Sequence, residues 1–200
     1  LGEWDSPGDK GSIITDRTQT DDFVHFVGDV KIPIPSPGFF PTAGIDGYAG
    51  WTSYEAEEGF PSLELLLSDD GVRGGIFLAS AAPVDCGVSM FKAAFFAGDP
   101  TAATLPQGAP FSRSSLGEGV GLVPDAGYWD IIGQDSAFVA FVVGEGFFDV
   151  GESINPADLT CVGWTGEEWA DLGPVETEVN PIFALIRTTT FVPDDYQAFA

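Results

Sequence analysis

The sequence predicts an all-β fold: a single-domain β-sandwich or jelly-roll-like barrel of about eight strands, with an extended N-terminal arm and little helix. Three observations predict it. First, apolar and polar residues alternate over short stretches. Val24, Phe26, Val30, Ile32 and Ile34 fall on one side of such a stretch, and His25, Asp29 and Lys31 on the other; period-two spacing places the two sets on opposite faces of a strand. Second, the links between stretches are turn chemistry, as in Asp69-Asp70-Gly71, Gly98-Asp99-Pro100, Pro124-Asp125-Ala126-Gly127 and Gly144-Glu145-Gly146. Third, helical patterning is scarce. Asn155-Pro156-Ala157-Asp158 and residues 166–172 each suit a single turn and neither organises a fold.

Taken in chain order, residues 1–20 are polar and weakly patterned and read as an extended arm, leaving 21–200 as the single β domain. The first strand is expected over 23–34. Pro33, Pro35, Pro37 and Pro41 punctuate its end, remove ladder donors and confine it to a sheet edge. Residues 38–61 then read as a long aromatic loop containing Phe39, Phe40, Tyr48, Trp51, Tyr54 and Phe60. Further strands are expected over 62–67, 75–81, 88–96, 128–132, 137–143, 159–164 and 181–191.

The apolar content of 44%, with 17 Phe and 5 Trp, supplies a core and argues against disorder despite the charge. That charge is the most unusual feature: 31 Asp and Glu against 7 Lys and Arg give −24 at pH 7. Nucleic-acid binding draws on cations that displace phosphate counterions, and the few here, scattered from Lys10 to Arg187, form no patch. No nucleic-acid partner is expected. Self-repulsion penalises the compact state, and salt relieves it by shortening the Debye length from ~10 Å at 0.1 M to ~3 Å at 1 M. A saline milieu fits; acidity for solubility or the bias of a GC-rich genome would produce a similar composition.

Cys86 and Cys161 are far apart, and neither lies in a C-x-x-C pair. Two outcomes stay open: a disulfide contributing ~4 kcal/mol in the chain-entropy model, or two buried thiols. The longest apolar run, 137–143, is far short of a bilayer span, so no membrane insertion is expected. A chain starting at Leu1 reads as a processed product or an excised domain.

Catalytic signatures are missing from the sequence. His25 is the only histidine, and no G-x-S-x-G elbow accompanies it. Clustered carboxylates suit hard cations, which makes Asp69, Asp70, Asp125, Asp130 and Asp135 candidates for one structural calcium, with simple turn formation as the competing reading. No other cofactor is expected. Trp4, Ile13, Ile14, Phe26 and Ile32 are candidate assembly contacts, the first three on the arm and the last two on the edge strand. The expected function is that of a non-enzymatic structural subunit of an extracellular assembly in a saline environment. It would be a virion coat, decoration or tail protein, or a cell-surface layer or filament subunit, partnered by copies of itself or by other structural subunits. The alternative is a carbohydrate-binding module or glycoside hydrolase using Trp51, Tyr54 and Glu55 of the aromatic loop.

Overall fold

A computed structural model describes residues 13–27, 30–31, 45–53, 62–69, 72–80, 89–144, 158–173, 176–179 and 183–200. In chain order the strands are β1 (Ile13–Ile14), β2 (Phe23–Val27), β3 (Val30–Lys31), β4 (Ile45–Asp46), β5 (Tyr48–Ser53), β6 (Ser62–Asp69) and β7 (Val72–Ser80). They continue as β8 (Ser89–Ala97), β9 (Gly127–Ile132), β10 (Ala137–Gly144), β11 (Val162–Trp164), β12 (Trp169–Asp171), β13 (Glu176–Val179) and β14 (Phe183–Arg187). Helix among the described residues amounts to short 3-10 turns such as Pro100–Ala102 and Pro193–Asp195.

Alternation along β8 decides the layering. Phe91, Ala93 and Phe95 point to one side, Ala94 and Phe96 to the other, and all five are buried. A strand buried on both faces must have material packed on both. It lies within a four-stranded sheet of order β2-β5-β8-β9, in which β2 and β5 run parallel and the other pairs antiparallel. A larger sheet follows the order β1-β4-β6-β7-β10-β14-β13, with β3 also on β6. Its β1–β4, β3–β6 and β4–β6 pairings are parallel and the rest antiparallel. The protein is therefore mostly β with mixed sheets. It is not a closed barrel, which corrects that alternative: among the described residues the larger sheet runs open from β1 to β13.

Trp51, Phe91, Phe95 and Trp129 of the smaller sheet meet Leu67, Ile76, Val139, Phe141 and Ile186 of the larger in one core cluster. Burying each such side chain contributes about 1.5–3 kcal/mol. Gly74 in β7 marks the closest approach, because a Cβ there would sit 2.4 Å from the Phe95 ring; only glycine lets that ring lie on the backbone of the opposite sheet.

A second cluster lies on the outer side of the smaller sheet. Tyr48, Ala94, Phe96 and Tyr128 pack beneath Phe111, Val123, Trp164 and Trp169. The C-terminal segment completes it by pairing on both sides. Phe199 exchanges both backbone hydrogen bonds with Trp129 at 2.8 Å, while Ala200 exchanges both with Val162. The β11–β12 hairpin is thereby tied to β9 through residues 196–200.

Several expectations change. Within the stretch expected as a single strand over 23–34, Phe23–Val27 is β2 in the smaller sheet and Val30–Lys31 is β3 in the larger. Part of the expected 38–61 loop is strand: β4 and β5 carry Ile45, Ala49 and Trp51 into the core. The turn of helix expected over 166–172 is β12, because Trp169 pairs with Trp164 and exchanges backbone hydrogen bonds with Ser115 and Gly117. Among the described residues there are fourteen strands, six of them only two to four residues long. Of the Asn155-Pro156-Ala157-Asp158 turn, only Asp158 lies within the described residues.

Candidate functional site

The candidate calcium ligands are not gathered into a cation cage. Asp69 and Asp46 flank the Arg17 guanidinium, which forms an ion pair with each, and Asp69 also accepts the Ala97 N–H at 2.8 Å. Asp125 lies 3.4 Å from Arg113. Asp130 is buried on β9 and accepts a hydrogen bond from the Tyr48 hydroxyl. Asp135 is in the turn between β9 and β10, and Asp70 lies outside the described residues. Among the described residues no group of three or more His, Cys, Asp or Glu is placed to hold a metal.

The aromatic sugar-binding reading loses its central residue. Trp51 is fully buried and stacks on Phe91 with ring centroids 5.7 Å apart, so it packs the core and has no face for a ligand. Tyr54 and Glu55 lie outside the described residues. His25 is on the outer side of β2, its Nε2 2.7 Å from Thr52 Oγ1 and its ring edge-on to Phe23.

Residues 13–20 lie along their own domain. β1 pairs with β4, the Thr15 N–H donates to the Asp46 carbonyl at 2.8 Å, and Thr15 Oγ1 accepts the Tyr48 N–H at 2.8 Å. Ile14 remains 76% exposed on that edge. Phe26 is half-buried against the main core and is no free contact. Trp4 and Ile32 lie outside the described residues, and of Ile13 only the β1 backbone pairing is described.

What the folded chain assembles, and the sequence did not announce, is a divided surface. The outer face of the smaller sheet is covered at one end by the second cluster and open at the other. At the open end Val27, Thr52 and Met90 line up across β2, β5 and β8; Val27 is 55% and Met90 42% exposed. His25 and Lys92 form the next row on either side of Gly50. A Cβ on Gly50 would meet the Phe23 ring at 2.2 Å, so glycine lets that ring fold over the strand. Lys92 Nζ then sits 4.5 Å from the ring centroid, donates to the Thr20 carbonyl at 2.8 Å and pairs with Asp21. Beside this patch β2 is the sheet edge, and among the described residues its outward backbone groups have no strand partner.

The boundary between the two ends is a polar pair. Phe23 sits beside Tyr48 and Ala94 beside Asp130. Burial pushes the Asp130 carboxyl up to about 6, against the pull of the Tyr48 hydrogen bond, which favours the ionised form. Burial and the neighbouring Asp130 charge raise the Tyr48 phenol as well. Tyr128, inside the covered end, donates to the Leu105 carbonyl at 2.6 Å and is pushed up to about 12, chiefly by burial. The Asp194 charge adds to the upward push on Asp130.

Cys161 is a free, buried thiol whose Sγ donates to the Ile186 carbonyl at 3.3 Å, so it is not in a disulfide; Cys86 lies outside the described residues. Among the described residues no helix is long and apolar enough to cross a membrane. No protein-family model, curated protein or solved structure matches the chain.

Proposed function

We propose that the chain is a non-enzymatic structural subunit of an extracellular assembly, of the virion-coat or surface-layer kind, whose two sheets pack as a sandwich and whose copies join edge to edge. One observation carries the reading: the β2 edge, unpaired among the described residues, lies beside the exposed Val27 and Met90 on an otherwise well-filled sheet. A free edge offers main-chain hydrogen bonds to a further strand, and exposed apolar side chains beside it are covered when that strand arrives. The occupant is a second copy of the chain. Its approach is opposed by a charge of −24 on each molecule, which salt screens.

The test is molar mass by light scattering from 0.1 to 3 M NaCl, for the native chain and for Val27→Glu combined with Met90→Glu. The native chain forms oligomers that grow with salt, and the double variant stays monomeric with an unchanged circular dichroism spectrum. A native monomer at every salt concentration, or a variant that assembles normally, overturns the reading. Thermal stability of the monomer also rises with NaCl; a flat response removes the saline setting.

A further inference from the structure

Between the two sheets, on the side where β9 turns from β8 to the C-terminal segment, lies a cavity of about 330 Å³. Its floor and walls are Trp129, Phe141, Val143 and Ile186 from the main core, closed by the 159–162 segment and the 119–124 loop. The volume is roughly twice that of an engineered ~150 Å³ apolar cavity that takes up benzene, and it falls within the usual range of small-molecule sites.

Among the described residues lining the cavity Asp158 is the one charged side chain. Asp158 lines it and is exposed, and its carboxylate has no hydrogen bond or ion pair among the described residues. Thr160, also in the lining, gives its hydroxyl to Asp171 at 2.5 Å. No Lys or Arg occurs between Arg113 and Arg187, a stretch that holds every lining residue except Ala200. Arg187 itself lies 5.9 Å from the Phe138 ring, on the face of β10 opposite Phe141. The Cys161 thiol is spent on the Ile186 carbonyl. No described lining side chain is cationic; the Arg113 guanidinium, which donates to the Val123 carbonyl of the 119–124 loop, is not among them. A cation meets Asp158.

We propose that this cavity binds a small cationic amphiphile, with an apolar body about the size of two fused rings inside and an ammonium group at Asp158. The site is independent of the β2 edge, and its test is independent of assembly. Isothermal titration compares three probes sharing one ring system: (1-naphthylmethyl)trimethylammonium, 1-naphthylmethanol and 1-naphthoate. Titration in about 1 M NaCl, where the Debye length is ~3 Å, suppresses attraction to the acidic surface at large. The ammonium probe binds with submillimolar Kd and about tenfold more tightly than the alcohol, and the carboxylate binds weakest. Asp158→Asn brings the first two together, whereas Asp135→Asn, in the turn at the other end of β9, leaves the ratio unchanged. Gly121→Trp blocks all three: a Cβ at Gly121 meets nothing within 4 Å, so the variant folds while its ring obstructs the cavity. Absence of binding by any probe, equal binding of ammonium and alcohol, or undiminished binding to Gly121→Trp would each overturn the proposal.

Discussion

The two ends of the outer face of the smaller sheet are built from the same strands and have opposite surroundings. At one end Phe96 stacks on Tyr128 at 5.4 Å, and Phe111, Trp164 and Trp169 close over them. At the other, Met90 of the same β8 strand is 42% exposed, and Val27 across the buried Thr52 is 55% exposed. The strands do not cause the difference. The long 98–126 connection, the β11–β12 hairpin and the C-terminal segment pack on one end. One pleated surface thus carries a buried aromatic layer at one end and two exposed apolar side chains at the other.

The sharpest way to break the comparison is Trp169→Ala. Trp169 is fully buried, meets Phe111 edge-on and donates its indole N–H to the Ser112 carbonyl at 3.1 Å. Its loss costs about 3–5 kcal/mol in urea denaturation; a change below about 1 kcal/mol would show that the cover is not part of the cooperative core.

Next comes Asp130→Asn, at the boundary. The folded-state pKa of Asp130 is raised to about 6 from an ordinary value of 3.8. Between those values the native state binds the proton more tightly than the unfolded state, so this group's contribution to stability falls as pH rises from about 4 to 6. Asparagine keeps an acceptor for Tyr48 and removes the buried charge. The variant is about 2 kcal/mol more stable than the native chain at pH 7, and the gap closes by pH 4; a gap independent of pH would mean that Asp130 is not held protonated by burial.

Arg17→Ala has a smaller effect. The guanidinium lies 5.8 Å from the Phe96 ring and balances Asp46 and Asp69, so it ties Arg17 to the covered end. Removing it leaves two carboxylates facing each other and costs about 1 kcal/mol in thermal or urea melts, less in high salt. Met90→Ala, at the open end, changes stability by less than about 0.5 kcal/mol in the same measurement. A large loss there would mean that the open end is packed after all.

How legible each region was follows from where its stabilisation comes from. The strands β6 to β10 declare themselves because their apolar runs are continuous or strictly alternating and their turns carry Gly and Asp. β5 does not, because Tyr48-Ala49-Gly50-Trp51 contains a glycine and follows Gly44 and Gly47, which reads as loop; Gly50 is required there by the Phe23 ring, a contact from another strand. Trp169 and its neighbours follow acidic residues that suit a helical turn, and become strand only by pairing with β11 and residues 115–117. The open patch was half-legible. Period two placed Val27 opposite Phe26, but whether that face would be covered depended on a connection far along the chain. The cavity had no sequence signal, since its walls come from six separate stretches of the chain.

The pairing of residues 196–200 sets the order in which this molecule can come into being. Phe199 and Ala200 bridge β9 to β11, and Ala198 accepts the Trp164 N–H, so both aromatic clusters need a segment that leaves the ribosome after every strand is already outside. Residues are added at roughly 5–20 per second, which leaves the nascent chain several seconds with β6 to β9 exposed and the closing piece still to come. Until residues 196–200 are made, the backbone groups of Trp129, Val162 and Trp164 that they pair with have no partner from that segment.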